Sequence, residues 1–226
     1  LKNVNSYKTY WRYILKSNIL RKTILLYSVS ALLFSALVSV QAQSVHDVAV
    51  VNVTMTLPYG AQAVYPASNW KIHINVAVEN QGTEAENFTV TTYYDSNAIE
   101  TKNVNNLAPG ANTTLTFTWN TNGVNPCAYN YTTEQYIPYN ISAEASAVPG
   151  EVDTDDNTLV DGTVVVRRIG DVNGDNQVDA WDLYLVGRSK GTYFGEDPNY
   201  NPNADFNGDG NVGIADLAFL AMNWYK

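Results

Sequence analysis

The chain has 226 residues, 45% of them hydrophobic, 12% aromatic and 15% charged, with one cysteine and a formal net charge of −9. That composition supplies enough apolar surface for a core, lacks the basic stripe with which a nucleic-acid binder neutralises phosphates, and permits neither an internal disulfide nor a thiolate zinc cluster. The length allows one or two small domains.

Charge is unevenly placed. Residues 1–42 hold six basic groups, Lys2, Lys8, Arg12, Lys16, Arg21 and Lys22, and no acid, so all 22 acidic residues follow them. Arg21 and Lys22 precede an apolar run from Ile24 to Val40. A basic end, an apolar helix entering the bilayer, and Val40 and Ala42 at positions −3 and −1 describe a signal peptide cleaved after Ala42. The competing assignment is an uncleaved N-terminal anchor, since the run lies at the lower limit for spanning a bilayer; its serines favour cleavage. The basic stretch is long for a leader and the chain opens on Leu1, consistent with a true start at Leu20 or with a fragmentary gene. Either way, Ser44 onward is expected outside the cytoplasm.

Residues 45–167 show a period of two. From Trp70 to Glu79 the alternation puts Trp70, Ile72, Ile74, Val76 and Val78 on one face and Lys71, His73, Asn75 and Glu79 on the other, which predicts a half-buried strand. Further strands are predicted over Asp47–Met55, Phe88–Tyr94, Thr114–Trp119, Tyr139–Val148 and Leu159–Val166, separated by turn-forming Asn80-Gln-Gly82, Asp95-Ser-Asn97, Pro109-Gly110 and Pro149-Gly150. Six or seven short strands predict an antiparallel β-sandwich.

The string Val76-Ala-Val-Glu-Asn-Gln-Gly-Thr83, with Tyr93-Tyr-Asp95, Leu107-Ala-Pro-Gly110, Thr116-Phe-Thr-Trp119 and the later Val148-Pro-Gly-Glu-Val-Asp153 and Asp156-Asn157, resembles the CARDB family. The resemblance implies an immunoglobulin-like sandwich of extracellular, adhesion-related proteins with no common catalytic residue. One departure is the Asn- and Tyr-rich stretch from Thr121 to Tyr136, which has the character of an insertion and no legible conformation.

Five glycosylation sequons fall in this segment, at Asn52, Asn87, Asn112, Asn130 and Asn140, as suits an exported surface. Catalytic constellations are weak. Glu84 with Glu86, or Asp153, Asp155 and Asp156, are carboxylate sets that a glycosidase reading could use, and adjacent loop acids are ordinarily solvated surface. His46 and His73 have no serine or cysteine partner at a defensible spacing. Cys127 has the character of a buried small side chain, with an intermolecular disulfide as the alternative.

The most specific signal lies in residues 169–226. Asp171-Val-Asn-Gly-Asp-Asn-Gln-Val-Asp-Ala-Trp-Asp182 and Asp205-Phe-Asn-Gly-Asp-Gly-Asn-Val-Gly-Ile-Ala-Asp216 are two copies of one twelve-residue loop, 34 residues apart. A hard divalent cation takes six to eight oxygens, and loop positions 1, 3, 5, 7, 9 and 12 turn inward around a tight turn. The first copy thus offers Asp171, Asn173, Asp175, the carbonyl of Gln177, Asp179 (through water) and Asp182; the second offers Asp205, Asn207, Asp209, the carbonyl of Asn211, and Asp216. Position 9 of the second copy is Gly213, which supplies no side-chain oxygen and predicts a weaker site. Position 6 requires a residue tolerant of positive φ, and Asn176 and Gly210 both qualify. Val178 and Val212 at position 8 are apolar anchors at which paired loops can meet. The following Leu183–Val186 and Leu217–Leu220 predict short helices charge-compensated by the last acid of each loop. Two ions of Ca2+ are expected, and a module this small and this acidic should couple folding to binding them.

An ordinary EF-hand loop ends in Glu and follows a helix; here both copies end in Asp and the first follows Val166-Arg-Arg-Ile-Gly170, a strand end. Those departures, together with Asn201-Pro-Asn-Ala-Asp205 before the second loop, make the segment similar to a type I dockerin. The resemblance implies docking to a cohesin-bearing protein through a helix and loop positions 10 and 11, here Ala180 and Trp181 in the first copy and Ile214 and Ala215 in the second. Trp181 is the natural anchor, or else a core tryptophan.

The sequence thus describes a mainly β protein: an immunoglobulin-like sandwich followed by a small α-helical dockerin with two EF-hand-like calcium loops. Expected are an extracellular or cell-surface, non-catalytic assembly role, a cohesin partner, and a sandwich for adhesion, glycan or polysaccharide contact, or spacing. The alternatives are an accessory subunit of a polysaccharide-degrading complex and a membrane-anchored, calcium-stabilised surface protein.

Overall fold

A computed structural model of the chain describes residues 43–66 and 70–225, together with Lys22. Two compact units divide the chain, Leu1–Gln43 and Ser44–Lys226. Apart from Lys22, the expected signal peptide or anchor lies outside the described residues. No helix among the described residues is long and apolar enough to cross a membrane.

Strands β1 (Val48–Thr56), β2 (Lys71–Asn80), β3 (Glu86–Tyr94), β4 (Asn97–Leu107) and β5 (Asn112–Asn120) come first in the chain. A short hairpin follows, made of β6 (Tyr129–Asn130) and β7 (Gln135–Tyr136), and then β8 (Tyr139–Ala145) and β9 (Thr158–Val164). One sheet has the order β1-β2-β5 and the other β4-β3-β8-β9, with every pairing antiparallel. The period-two reading of β2 holds residue by residue. Ile72, Ile74, Val76 and Val78 are fully buried between the sheets, while Lys71 and His73 face solvent. Each such buried aliphatic contributes roughly 1.5–3 kcal/mol relative to exposure. They meet Phe88 and Val90 of β3, Phe117 and Trp119 of β5, and Ile141 and Ala143 of β8 in one apolar cluster.

Two elements were not legible from the periodicity. β4 is an edge strand whose pattern is mostly exposed, with Val104 and Leu107 its buried residues, so no alternating apolar face announces it. The β6–β7 hairpin closes the stretch from Thr121 to Tyr136 and is held by edge-on contacts of Tyr129 with Tyr131 and Tyr136, each at 5.1 Å between ring centres.

Asn80, at the end of β2, shows why the Glu-Asn-Gln-Gly turn is built as it is. Its buried amide donates to the carbonyls of Glu84 (2.7 Å) and Leu107 (2.8 Å) and its oxygen accepts from the Gly82 N–H (2.9 Å), so one side chain ties three strand ends together. Gly82 is required beside it, because a Cβ there would lie 2.4 Å from the Val45 carbonyl oxygen.

The C-terminal segment forms helices α1 (Ala180–Ser189) and α2 (Ile214–Met222), each opening at the end of one acidic loop. Its apolar side chains, Val172, Val178, Val186, Phe206, Val212 and Leu220, belong to the same continuous cluster as the sandwich core. Val64 and Val166 pair in parallel at the junction. Tyr65 and Trp70, both fully buried, cross from the sandwich: the Tyr65 hydroxyl contacts the carbonyls of Asp171 (3.1 Å) and Asn203 (2.6 Å), and the Trp70 indole N–H donates to the Phe206 carbonyl (3.1 Å).

Candidate metal centre

The two acidic loops share one hydrogen-bonding pattern, with one bond more in the second. In the first, Asp171 Oδ1 accepts from the Gly174 N–H (2.7 Å) and Oδ2 from the Asn176 N–H (2.9 Å). In the second, Asp205 Oδ1 accepts from Gly208 (2.8 Å) and from Asp209 (3.2 Å), and Oδ2 from Gly210 (2.8 Å). At the far end, Asp182 Oδ1 accepts from Val172 and Oδ2 from Asp179, and Asp216 repeats this with Phe206 and Gly213. Between them Asn173 and Asp175, and likewise Asn207 and Asp209, form successive turns in which each side-chain oxygen accepts from the N–H two residues on. The sharp turn at position 6 takes the left-handed conformation expected of it, with φ of 65° at Asn176 and 85° at Gly210.

Asp171, Asp182, Asp205 and Asp216 are fully buried. Burial pushes all four carboxyls above the usual range, against the opposing pull of the N–H groups that each accepts from. Four buried acids without a compensating cation are costly, and a hard divalent ion is the species that relieves them. Among the described residues no three acidic, imidazole or thiol side chains converge at metal-ligand spacing; their oxygens are engaged by the loops' own N–H groups. In kind, order and burial the donor set, all oxygen, fits calcium.

The helices start three residues earlier than the apolar runs imply, so the position-12 acids sit in their first turns. Asp179 caps α1 by accepting from the Trp181 N–H (2.8 Å), and Asp182 closes the capping box by accepting from the Asp179 N–H. Gly213 caps α2 with no side chain. The position-8 valines are buried, yet their backbone groups pair away from each other: Val178 accepts from the Tyr225 N–H, while Val212 bonds to Gly191 and Thr192.

The residues of positions 10 and 11 all face outward. Trp181 is 65% exposed and Ile214 76%, with Ala180 and Ala215 exposed beside them, which removes the core-tryptophan alternative for Trp181. Trp181 stacks edge-on against Tyr184 at 5.9 Å, and with Ala180 the two rings line a shallow open hollow. Of the sequons, Asn52, Asn87, Asn112 and Asn140 are exposed, and Asn130 is half-buried in the hairpin, where its oxygen accepts from Thr132 and Thr133. Glu86 is buried and paired with the His46 ring at 2.5 Å, so it is a structural partner and not half of an exposed acid pair. Cys127 is buried, its sulfur accepting from the Val166 N–H at 3.2 Å.

Missed by the sequence reading were Tyr136 and Tyr200. Each donates its hydroxyl to Oδ2 of a position-1 aspartate, Tyr136 to Asp171 at 2.5 Å and Tyr200 to Asp205 at 2.9 Å. Tyr200 lies five residues before its partner and was discoverable locally; Tyr136 lies 35 residues away on the hairpin, and no local signal points to it.

Fold and site together define an antiparallel β-sandwich joined to a paired acidic-loop module. The chain belongs to the CARDB family, whose model matches residues 40–164, and the Dockerin type I domain model matches residues 169–223. CARDB is an adhesion-related domain, type I dockerins bind calcium and dock to cohesin-bearing partners, and both are non-catalytic domains. Among solved structures, a domain ascribed to a cell surface protein of Methanosarcina acetivorans is 21% identical, with 54% of this chain and 92% of that one covered at a TM-score of 0.37. A CARDB domain from Pyrococcus furiosus, in complex with di-metal ions, is 19% identical, with 56% and 97% covered at 0.37. A β-glucosidase from Listeria innocua is 17% identical, with 55% of this chain and 16% of that one covered at 0.32. No curated protein matches the chain.

Proposed function

We propose that this protein is an exported, non-catalytic assembly component that docks to a cohesin-bearing partner only when its two loops hold calcium. In the first loop Asp171, Asn173, Asp175, the Gln177 carbonyl, Asp179 and Asp182 take the ion; in the second, Asp205, Asn207, Asp209, the Asn211 carbonyl and Asp216 do. The observation that carries this reading is the repetition, in one hydrogen-bonding pattern, of two oxygen-lined loops with buried terminal aspartates, each opening a helix that presents its first turn to solvent. Calcium organises those first turns, so the docking face of Ala180, Trp181, Ile214 and Ala215 follows the ion. Residues 45–167 serve as the adhesive or spacing module and 169–226 as the docking module, both placed outside the cell. Glycans at the exposed sequons suit that location.

The test is binding of the full chain to a panel of immobilised type I cohesins in calcium and in chelator. Calcium-dependent capture that chelator abolishes is expected. Capture unaffected by chelator, or hydrolysis of any polysaccharide in a substrate panel, contradicts the proposal.

A further inference from the structure

The two position-1 aspartates are each held by a tyrosine hydroxyl, but the tyrosines come from different places. Tyr200 belongs to the segment that joins α1 to the second loop. Tyr136 belongs to β7, in the hairpin inserted between β5 and β8 of the sandwich. Its ring is 9% exposed, and its hydroxyl also lies 3.2 Å from Asn176 Oδ1 in the turn of the first loop. Tyr131 of the same hairpin accepts from the Asn176 side-chain N–H (2.9 Å). From the other side, the Tyr65 hydroxyl reaches the Asp171 carbonyl, and the Arg167 guanidinium donates to the Val172 carbonyl (2.9 Å).

With the Asn176 N–H and the Tyr136 hydroxyl both on Asp171 Oδ2, that oxygen has its two lone pairs engaged. Oδ1 accepts from the Gly174 N–H. The carboxylate rotamer is therefore fixed before any ion arrives. Partners of this kind, which touch a ligand and not the ion, commonly set metal affinity by about 10–100-fold.

We infer that Tyr136 is a positioning residue of the first calcium site, so that this site is completed by the sandwich and its affinity is coupled to the β6–β7 hairpin, whereas the corresponding carboxylate of the second site is held from within the docking module. The inference rests on the calcium reading of the loops. By linkage, whatever the hairpin contributes to calcium binding, calcium returns to the hairpin as stability. A surface event that disturbs the hairpin would then reach the first loop and the Trp181 face through Asp171.

The test uses the full chain with one loop silenced at a time. In an Asp209→Ala background, which leaves the first loop, Tyr136→Phe keeps the ring and removes the hydroxyl, and calorimetric calcium affinity is expected to fall about tenfold. In an Asp175→Ala background, which leaves the second loop, the same substitution should change affinity by less than about twofold. Hydrogen exchange in the unsubstituted protein gives an independent reading should the variant misfold: amides of residues 129–136 are expected to exchange more slowly with calcium than with chelator. An unchanged first-loop affinity, an equal loss in both backgrounds, or hairpin exchange indifferent to calcium overturns the coupling while leaving the calcium sites standing. Absence of calcium binding by the unsubstituted chain overturns both.

Discussion

Trp181 stands on the first turn of α1, exposed and braced by Tyr184, one residue before the buried Asp182. Its backbone is held at the helix start, where the Trp181 N–H donates to Asp179, and its ring is exposed. An exposed aromatic on a rigid turn loses little entropy on binding and suits a hot spot. Trp181→Ala is expected to weaken cohesin binding by about 30-fold, equivalent to about 2 kcal/mol, with the unfolding midpoint nearly unchanged because the ring buries little in the free chain. An affinity loss under about threefold, measured by calorimetry, would move the anchor elsewhere, with Ile214 the next position to test. At this scale the ligand positions were legible because metal coordination fixes residue type and spacing together. Tyr136 was not, because its contact joins two strands of sequence that only the fold brings together.

The turn before β9 carries a charge problem that its sequence, Glu151-Val-Asp-Thr-Asp-Asp-Asn157, hints at and its geometry sharpens. Glu151 is well used, accepting from the N–H groups of Val48 (2.9 Å) and Val148 (2.7 Å). Asp47 and Asp156 each have a buried Oδ1 with no hydrogen-bond partner. Burial first, then Asp156, Asp153 and Glu151, holds the Asp47 carboxyl above its usual range, and burial with Asp153, Glu151 and Asp155 does the same to Asp156. A carboxyl whose folded-state pKa is raised stabilises the fold fully below its unfolded value, near 3.8, and loses that contribution as pH rises through the folded value. In chelator, Asp156→Asn is therefore expected to raise the unfolding midpoint at pH 7 and to raise it less near pH 3.5; a shift equal at both pH values would show that the carboxylate charge is not the cause. At the scale of elements, β2 declared itself through its clean alternation. β4 did not, because Asn97-Ala-Ile-Glu-Thr-Lys-Asn-Val-Asn-Asn-Leu107 pairs on one edge only and buries little. The starts of α1 and α2 were missed because a cap and an apolar face begin at different residues.

For the whole of residues 44–226, the defining feature is that the sandwich core and the docking module's core are one apolar cluster. Composition and motif spacing divide this stretch at a strand end near Arg167 and Arg168. The fold instead sews it together, with Tyr59 of the Pro58–Gly60 turn packing tilted against Phe194 and edge-on against Tyr200, and with Tyr65, Trp70 and Tyr136 reaching the loops. A module this small gains by such burial what its own few apolar side chains cannot supply. The measurement that bears most directly on this account is a calorimetric titration of calcium into the full chain after its metal has been removed by chelator. The account predicts saturation at two ions per chain, one for each loop. No uptake at millimolar calcium, or saturation at a single ion, would contradict it.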